Sequence, residues 1–457
     1  MRLHAPRRSA PARLMAGVFA VALFAGACGD DGDDDAEAAA EDTEDTVEEA
    51  DDADEADDDG TDAEPVELRF SWWGSDSRHE ETQQIIDLFE EEYPHISVTP
   101  DFTDWGSYWD RLATATAGGD TPDIMTQEER YMTDYALRGQ LLDLNEVSDV
   151  LDLSSIDPLA LGGGEIDGSL YAVATGVNAF SIVADPEIFA DAGLEVPDDT
   201  AWTWEDFSEI VNEIGSGGEY FGFQPENSNE AGLNIYARQR GEALYNPDGS
   251  LGFSAETLAE WWQISLDLID SGGAPQPTEL LEVDGPDTSF VATNRGAMAP
   301  YWTNQLGALS GTAGRDLVLL RHPGEFESEQ PGMYFKPAMF YSISSQTEHP
   351  EEAALFVDFL LNDIRATEIM LTDRGLPANL EIREQILAAL PETEQQVADF
   401  MAEIAPDLAD PPPPPPNGAG EIPAILERYW EEVLFERMTP LEAAEQFIAE
   451  AEAATST

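Results

Sequence analysis

Cysteine is almost missing from this chain: Cys28 is the only one in 457 residues. No disulfide can close within one copy, so the fold must hold by packing alone. Lysine is equally scarce. Lys336 is the sole example, and 20 basic residues face 95 acidic ones for a net charge of −75. So few cations cannot displace the counterions of a phosphate backbone, which excludes nucleic acid as a partner. The five histidines (His4, His79, His95, His322 and His349) form no metal-spaced cluster, and neither a nucleophile elbow nor a phosphate loop is present. No cofactor and no catalytic residue is assigned. The one long apolar stretch, Leu14 to Ala27, falls short of the roughly 20 residues that cross a bilayer.

That stretch has another reading. Arg2, Arg7, Arg8 and Arg13 precede it and small residues end it, the pattern of a secretory signal peptide over residues 1–27. Its end, Ala25-Gly26-Ala27-Cys28, resembles a bacterial lipobox, with Ala25 where leucine is more usual. The resemblance implies that Cys28 carries lipid and becomes the mature N-terminus; an ordinary signal peptide beside an incidental cysteine is the alternative. From Gly29 to Glu64 the chain is Asp, Glu, Ala, Thr and Gly with one valine and no aromatic residue. Such a segment cannot bury enough apolar surface to offset its ordering entropy, and residues 28–64 read as a disordered tether behind the anchor. An EF-hand loop is set aside, because Val66 falls where the late bidentate Glu belongs.

The tether holds 21 acidic residues, which leaves 74 acidic and 16 basic residues for Pro65 onward. The folded body is therefore strongly acidic too, a surface suited to a saline habitat where salt screens its self-repulsion. Its size exceeds what one core usually supports, so two domains are expected.

Val66, Leu68, Phe70 and Trp72 alternate with Glu67, Arg69 and Ser71, a strand of period two. Ser77 and Glu80 fit a capping box, and Ile85, Ile86, Phe89 and Tyr93 recur at helical spacing until Pro94. Ile96 to Phe102 reads as a strand, Trp105 to Ala117 as a helix and Asp123 to Thr126 as a third strand. This alternation predicts an α/β unit with parallel strands, whose ligands bind beyond the carboxyl ends. Trp73 and the Gln127-Glu128 pair stand at those ends. A further apolar strand covers Asn178 to Val183, Thr203 is a natural helix cap, and Pro411 to Pro416 form a stiff connector. Thr439 and Glu442 cap a last amphipathic helix.

Together these landmarks resemble the family 1 extracellular solute-binding proteins, a maltose-binding-protein-like class of sugar and glycerol-phosphate binders. The pieces that carry the resemblance are Trp72-Trp73-Gly74, the Gly118 to Met125 stretch, Gly139 to Leu144, Asp167 to Asn178 and Ala192-Gly193-Leu194. Trp204 to Phe207, Gly296-Ala297-Met298 before Tyr301-Trp302, and Gly375-Leu376-Pro377-Ala378 complete the set. It implies a two-lobed α/β periplasmic-binding-protein fold of type II, each lobe a sheet flanked by helices, with the ligand cleft between them. The first lobe is expected over 65–175 with a return near 335–362, and the second over 176–330, completed by 365–457.

Sugars present apolar faces and a rim of hydroxyls, so a site needs flat rings for stacking and carboxylates or amides for hydrogen bonds. The resemblance puts Trp73 and Trp302 first, with Tyr301 adjacent; either ring of such a pair can be the core member. Glu128 and Gln127 match an acidic or polar contact, and Asn178 lies where the chain crosses between lobes. Tyr108, with packing as its alternative, and Arg374, which could equally make a surface ion pair, complete the candidates. The expected function is capture of a sugar-like ligand by a monomeric lipoprotein on the outer face of the membrane, for delivery to ABC transporter permeases. The alternatives are a secreted carbohydrate-active enzyme working through paired carboxylates and a surface sensor without a transport role.

Overall fold

The computed structural model describes residues 64–455. The signal peptide, Cys28 and all of the acidic tether except Glu64 lie outside them. Strands β1 (Val66–Trp73), β2 (Ile96–Thr103), β3 (Ile124–Gln127), β4 (Val173–Ala174), β5 (Gly176–Ala184), β6 (Met298–Trp302), β7 (Val318–Leu320), β8 (Phe335–Pro337), β9 (Phe340–Ile343) and β10 (Leu376–Pro377) build two five-stranded sheets. The helices that bear on the site are α1 (Asp76–Glu92), α2 (Trp105–Gly118), α3 (Glu129–Leu137), α4 (Glu230–Arg238), α5 (Pro350–Asn362) and α6 (Ile364–Met370).

The first sheet has the order β2-β1-β3-β9-β4. β1 runs parallel to β2 and β3, as the strand–helix alternation predicts, while β9 returns antiparallel between β3 and β4. The inward residues of β1 (Leu68, Phe70 and Trp72) are at most 1% exposed and meet Ile85, Ile86 and Phe89 of α1 and Phe356 of α5 in one core. One local expectation fails. Ser75, not Ser77, caps α1, accepting from the Arg78 N–H, because the helix begins at Asp76 and leaves Ser77 inside its first turn.

The second sheet is antiparallel throughout and centred on β5, which pairs with β6, β7, β8 and β10. All nine β5 residues are buried, which explains its run of apolar and small residues, interrupted by the polar Asn178. Helices α7 (Ile422–Leu434) and α8 (Pro440–Thr455) bring Leu426, Trp430 and Phe447 to its core. The predicted caps at Thr203 and Thr439 both form, each closed reciprocally by an acid three residues on, Asp206 and Glu442.

The chain passes between the sheets where β4 becomes β5 and where β8 becomes β9, with β10 alongside. Backbone hydrogen bonds tie these passages together: Thr175 N–H to Met339 C=O at 2.8 Å, Ala338 to Gly176 at 2.9 Å and Ala378 to Thr175 at 3.1 Å. Gly176 has no room for a side chain, since a Cβ would lie 2.6 Å from the Leu376 carbonyl oxygen. Close backbone approach sets that residue type.

Candidate functional site

β1 and β3 end side by side, and the helices that follow bring rings and charges to the same edge. Asp104 caps α2, its carboxylate accepting the Ser107 N–H at 3.0 Å, which presents Trp105 and Trp109 on the first turns. Trp73, at the end of β1, meets Trp105 edge-on at 5.0 Å and Trp109 at 5.5 Å. Trp109 in turn stacks on Tyr131 of α3 at 3.8 Å. Trp105 remains 39% exposed, so this cluster offers a free aromatic face.

α3 starts directly after β3 with Glu128, Glu129 and Arg130. The Glu128 carboxylate accepts both the Arg130 N–H at 2.9 Å and its Nε–H at 2.8 Å. Lys336 of β8 approaches from the other side, Nζ lying 2.7 Å from Glu128 and 2.9 Å from Glu129. Arg130 also reaches Glu230 at the start of α4, which packs with the second sheet, at 3.4 Å. Burial alone would raise Glu128, but the Arg130 guanidinium and the Lys336 ammonium pull its carboxyl down to about 2. Burial does raise Glu129, against Lys336 and with help from the Glu128 charge. It raises Glu230 as well, against Arg130 and with help from the Glu128 charge. Three carboxylates therefore share two cations, and burial acts against the charge on the second and third.

Trp302 closes this group at the end of β6. Its ring lies 5.7 Å from Lys336 Nζ and 5.0 Å from Phe180. Around the same edge, five buried polar atoms have no partner within the protein: Gln127 Oε1 and Nε2, Trp109 Nε1, Glu230 Oε2 and the Tyr245 hydroxyl. Buried polar atoms are nearly always bonded, so such a concentration marks a place built to bond something else. Among the described residues, no group of three or more His, Cys, Asp or Glu is arranged to hold a metal ion.

The structure brings Trp73, Gln127, Glu128 and Trp302 to this edge. Asn178 lies opposite Lys336 in the β5–β8 register and accepts a 3.4 Å hydrogen bond from Thr303, so it belongs to the passage between the sheets. Tyr301 is the inward member of its pair, 6% exposed, with its hydroxyl receiving Gln224 Nε2 at 3.4 Å; burial pushes that hydroxyl up to about 12. Two expected contacts are placed elsewhere. Tyr108 is 1% exposed and its hydroxyl is bonded to the Thr126 and Ser71 carbonyls at 2.7 and 3.3 Å, so it braces β1 against β3. Arg374 is 3% exposed and donates to the Tyr341 and Thr82 hydroxyls, neither a surface ion pair nor a residue of this edge. Sequence reasoning missed Trp105, Glu129, Arg130, Glu230 and Lys336. Two signals were available: the Glu128-Glu129-Arg130 run at a strand end, and the isolation of a single lysine.

A model of the bacterial extracellular solute-binding protein family matches residues 75–364. The family the sequence resembles is thus the family whose model it matches. A family 1 extracellular solute-binding protein from Alicyclobacillus acidocaldarius is similar in structure, with 30% identity, 87% of this chain and all of that chain covered, and a TM-score of 0.64. A periplasmic oligogalacturonide-binding protein from Yersinia enterocolitica, solved with saturated digalacturonic acid, reaches a TM-score of 0.76 at 24% identity over 86% of this chain and 99% of that one. An uncharacterized lipoprotein in the oleD 5′ region of Streptomyces antibioticus is 24% identical over 335 residues, which is 69% of this chain and 71% of that protein.

Proposed function

Because the chain belongs to the bacterial extracellular solute-binding protein family, we propose that it captures a neutral sugar or oligosaccharide between two lobes and delivers it to an ABC importer. The observation that carries this reading is the edge where both sheets meet, with its exposed ring faces and its five unpartnered buried polar atoms. Trp302 and Trp105 supply flat faces for the apolar sides of a pyranose, with the buried Trp73 packed behind Trp105. Gln127, Glu128 and Glu230 supply acceptors and donors for its hydroxyls. Arg130 and Lys336 are already engaged by three carboxylates. That engagement favours a neutral ligand over an acidic one such as the digalacturonic acid of the Yersinia protein. Strand membership supports a first lobe over 65–175 and a second over 176–330; of the expected return near 335–362, β8 still pairs with β5 and the first sheet is rejoined at β9, and 365–457 is read as completing the second lobe. Cys28 and the lipoprotein among its relatives support a lipid anchor on the outer face of the membrane.

The test is a thermal-shift panel at molar salt with neutral oligosaccharides, digalacturonate, peptides and polyamines. A ligand at a hundred times its Kd stabilises the bound state by about 2.7 kcal/mol, enough to raise the midpoint measurably. A shift confined to a peptide or a polyamine would overturn the sugar reading.

A further inference from the structure

Carboxylates far outnumber cations in this body, so any cation that fails to meet one is an exception with a cause. Among the described residues, only Arg238 and Arg374 have no carboxylate within 4 Å. Arg238 has compensation, with the Tyr334 ring 5.1 Å below its guanidinium and the Asp410 carbonyl 2.6 Å from Nη2. Arg374 has neither.

The residue is 3% exposed, and its guanidinium bonds two neutral hydroxyls and leaves the Nε–H without an acceptor. Both hydroxyl oxygens accept from the guanidinium while passing their own protons onward, Thr82 to the Arg78 carbonyl at 2.6 Å and Tyr341 toward the Met370 sulfur at 3.8 Å, so the charge meets neutral acceptors and no anion. The charged neighbours do little more. Asp373 is taken by Arg78, with Nε 2.6 Å from its carboxylate. Glu81 is half-buried, and burial together with Asp373 pushes it up to about 7, so much of its charge is gone at neutral pH. A buried ion left so poorly compensated is strongly unfavourable.

Arg374 also lines a cavity of about 20 Å³ together with Thr175, Tyr341, Thr367, Met370 and Gly375. That volume is enough for a particle about the size of a water molecule. The Thr367 hydroxyl makes only a 3.4 Å bond to the Asp363 carbonyl and is free to turn. We propose that this cavity is a halide site, in which a chloride ion answers the Arg374 guanidinium. The apolar part of the lining, Leu360, Leu361 and Pro377, suits a weakly hydrated monovalent anion. Thr175 adjoins the β4–β5 passage and donates to the Arg374 carbonyl at 2.8 Å, so the ion would stiffen the place where the chain crosses between the sheets.

Two measurements on the purified protein decide it. Crystals soaked in sodium bromide should show an anomalous peak within this cavity. The melting temperature in sodium chloride should exceed that in sodium gluconate at equal ionic strength by roughly 1–3 °C, and Arg374→Met should abolish the difference. An empty or water-filled cavity in the bromide crystals overturns the proposal, as does a wild-type melting temperature equal in the two salts. If Arg374→Met does not fold, the bromide peak, which needs no variant, decides.

Discussion

Glu128 and Glu230 touch the same arginine, yet replacing each by glutamine should act in opposite directions. Glu128, with a side chain 5% exposed, is held by Arg130 and Lys336 at 2.8 and 2.7 Å. Burial opposes its charge and the two cations overcome it, taking the carboxyl from 4.5 to about 2. At 1.36 kcal/mol per pH unit, the fall corresponds to about 3 kcal/mol in favour of the ionised group, a large part of a domain's stability. A carboxyl with a depressed native value contributes stability that is fully present above pH 4.5 and is lost as the pH falls through about 2. Glu128→Gln should therefore cost about 3 kcal/mol at pH 7, and the gap from wild type should close as the pH approaches 2. Glu230 is the reverse case. Burial outweighs Arg130 at 3.4 Å and its carboxyl is raised, so folding acts against its charged form. Glu230→Gln should be neutral or stabilising at pH 7, since the stability tied to a raised carboxyl is lost as the pH rises through its native value. Urea unfolding of both variants at pH 7 and at pH 4, with the m-value checked for constancy, reads both signs. Equal losses, or no loss in Glu128→Gln, would refute the reasoning.

Trp302→Ala should weaken ligand binding about ten- to a hundredfold by calorimetry while leaving the unliganded melting point nearly unchanged; a collapse of the fold would assign the ring to the core instead. Tyr108→Phe should cost about 1 kcal/mol in denaturant unfolding, because the Thr126 and Ser71 carbonyls lose their hydroxyl partner. Its ligand affinity should stay at the wild-type value, and a weakened affinity would return Tyr108 to the site.

The elements were legible where one face of the chain is wet. β1 alternates because Glu67 is exposed and Leu68 and Phe70 are not, and α1 shows its stripe for the same reason. The end of α1 was misplaced because Ser75 and Ser77 are both good caps, and the choice between them depends on where Gly74 leaves the sheet. Adjacent rings posed a harder question. Successive residues of a strand point to opposite faces, so one of Tyr301 and Trp302 had to be inward, but only pairing with Ser181 and Phe180 decides which. Arg374 was misread because a lone arginine carries no sign of burial in its neighbours, Asp373 and Gly375.

The charge network shows why half of a site can be read and half cannot. The rule that ligands gather beyond parallel strand ends leads to Glu128, and the next two residues come with it. Nothing local leads from there to Glu230 or Lys336, which arrive from 102 and 208 positions further along the chain. Composition narrows the search nonetheless. With 74 acidic residues in the body, almost any carboxylate is interchangeable with solvent-facing neighbours, whereas a cation is costly to place at random, since each must be positioned against many competing acids. The single lysine sits between two glutamates at the meeting of the sheets, and an arginine without a carboxylate sits beside a cavity. In a chain this acidic, the positions of the few positive charges carry more functional information than the positions of the many negative ones.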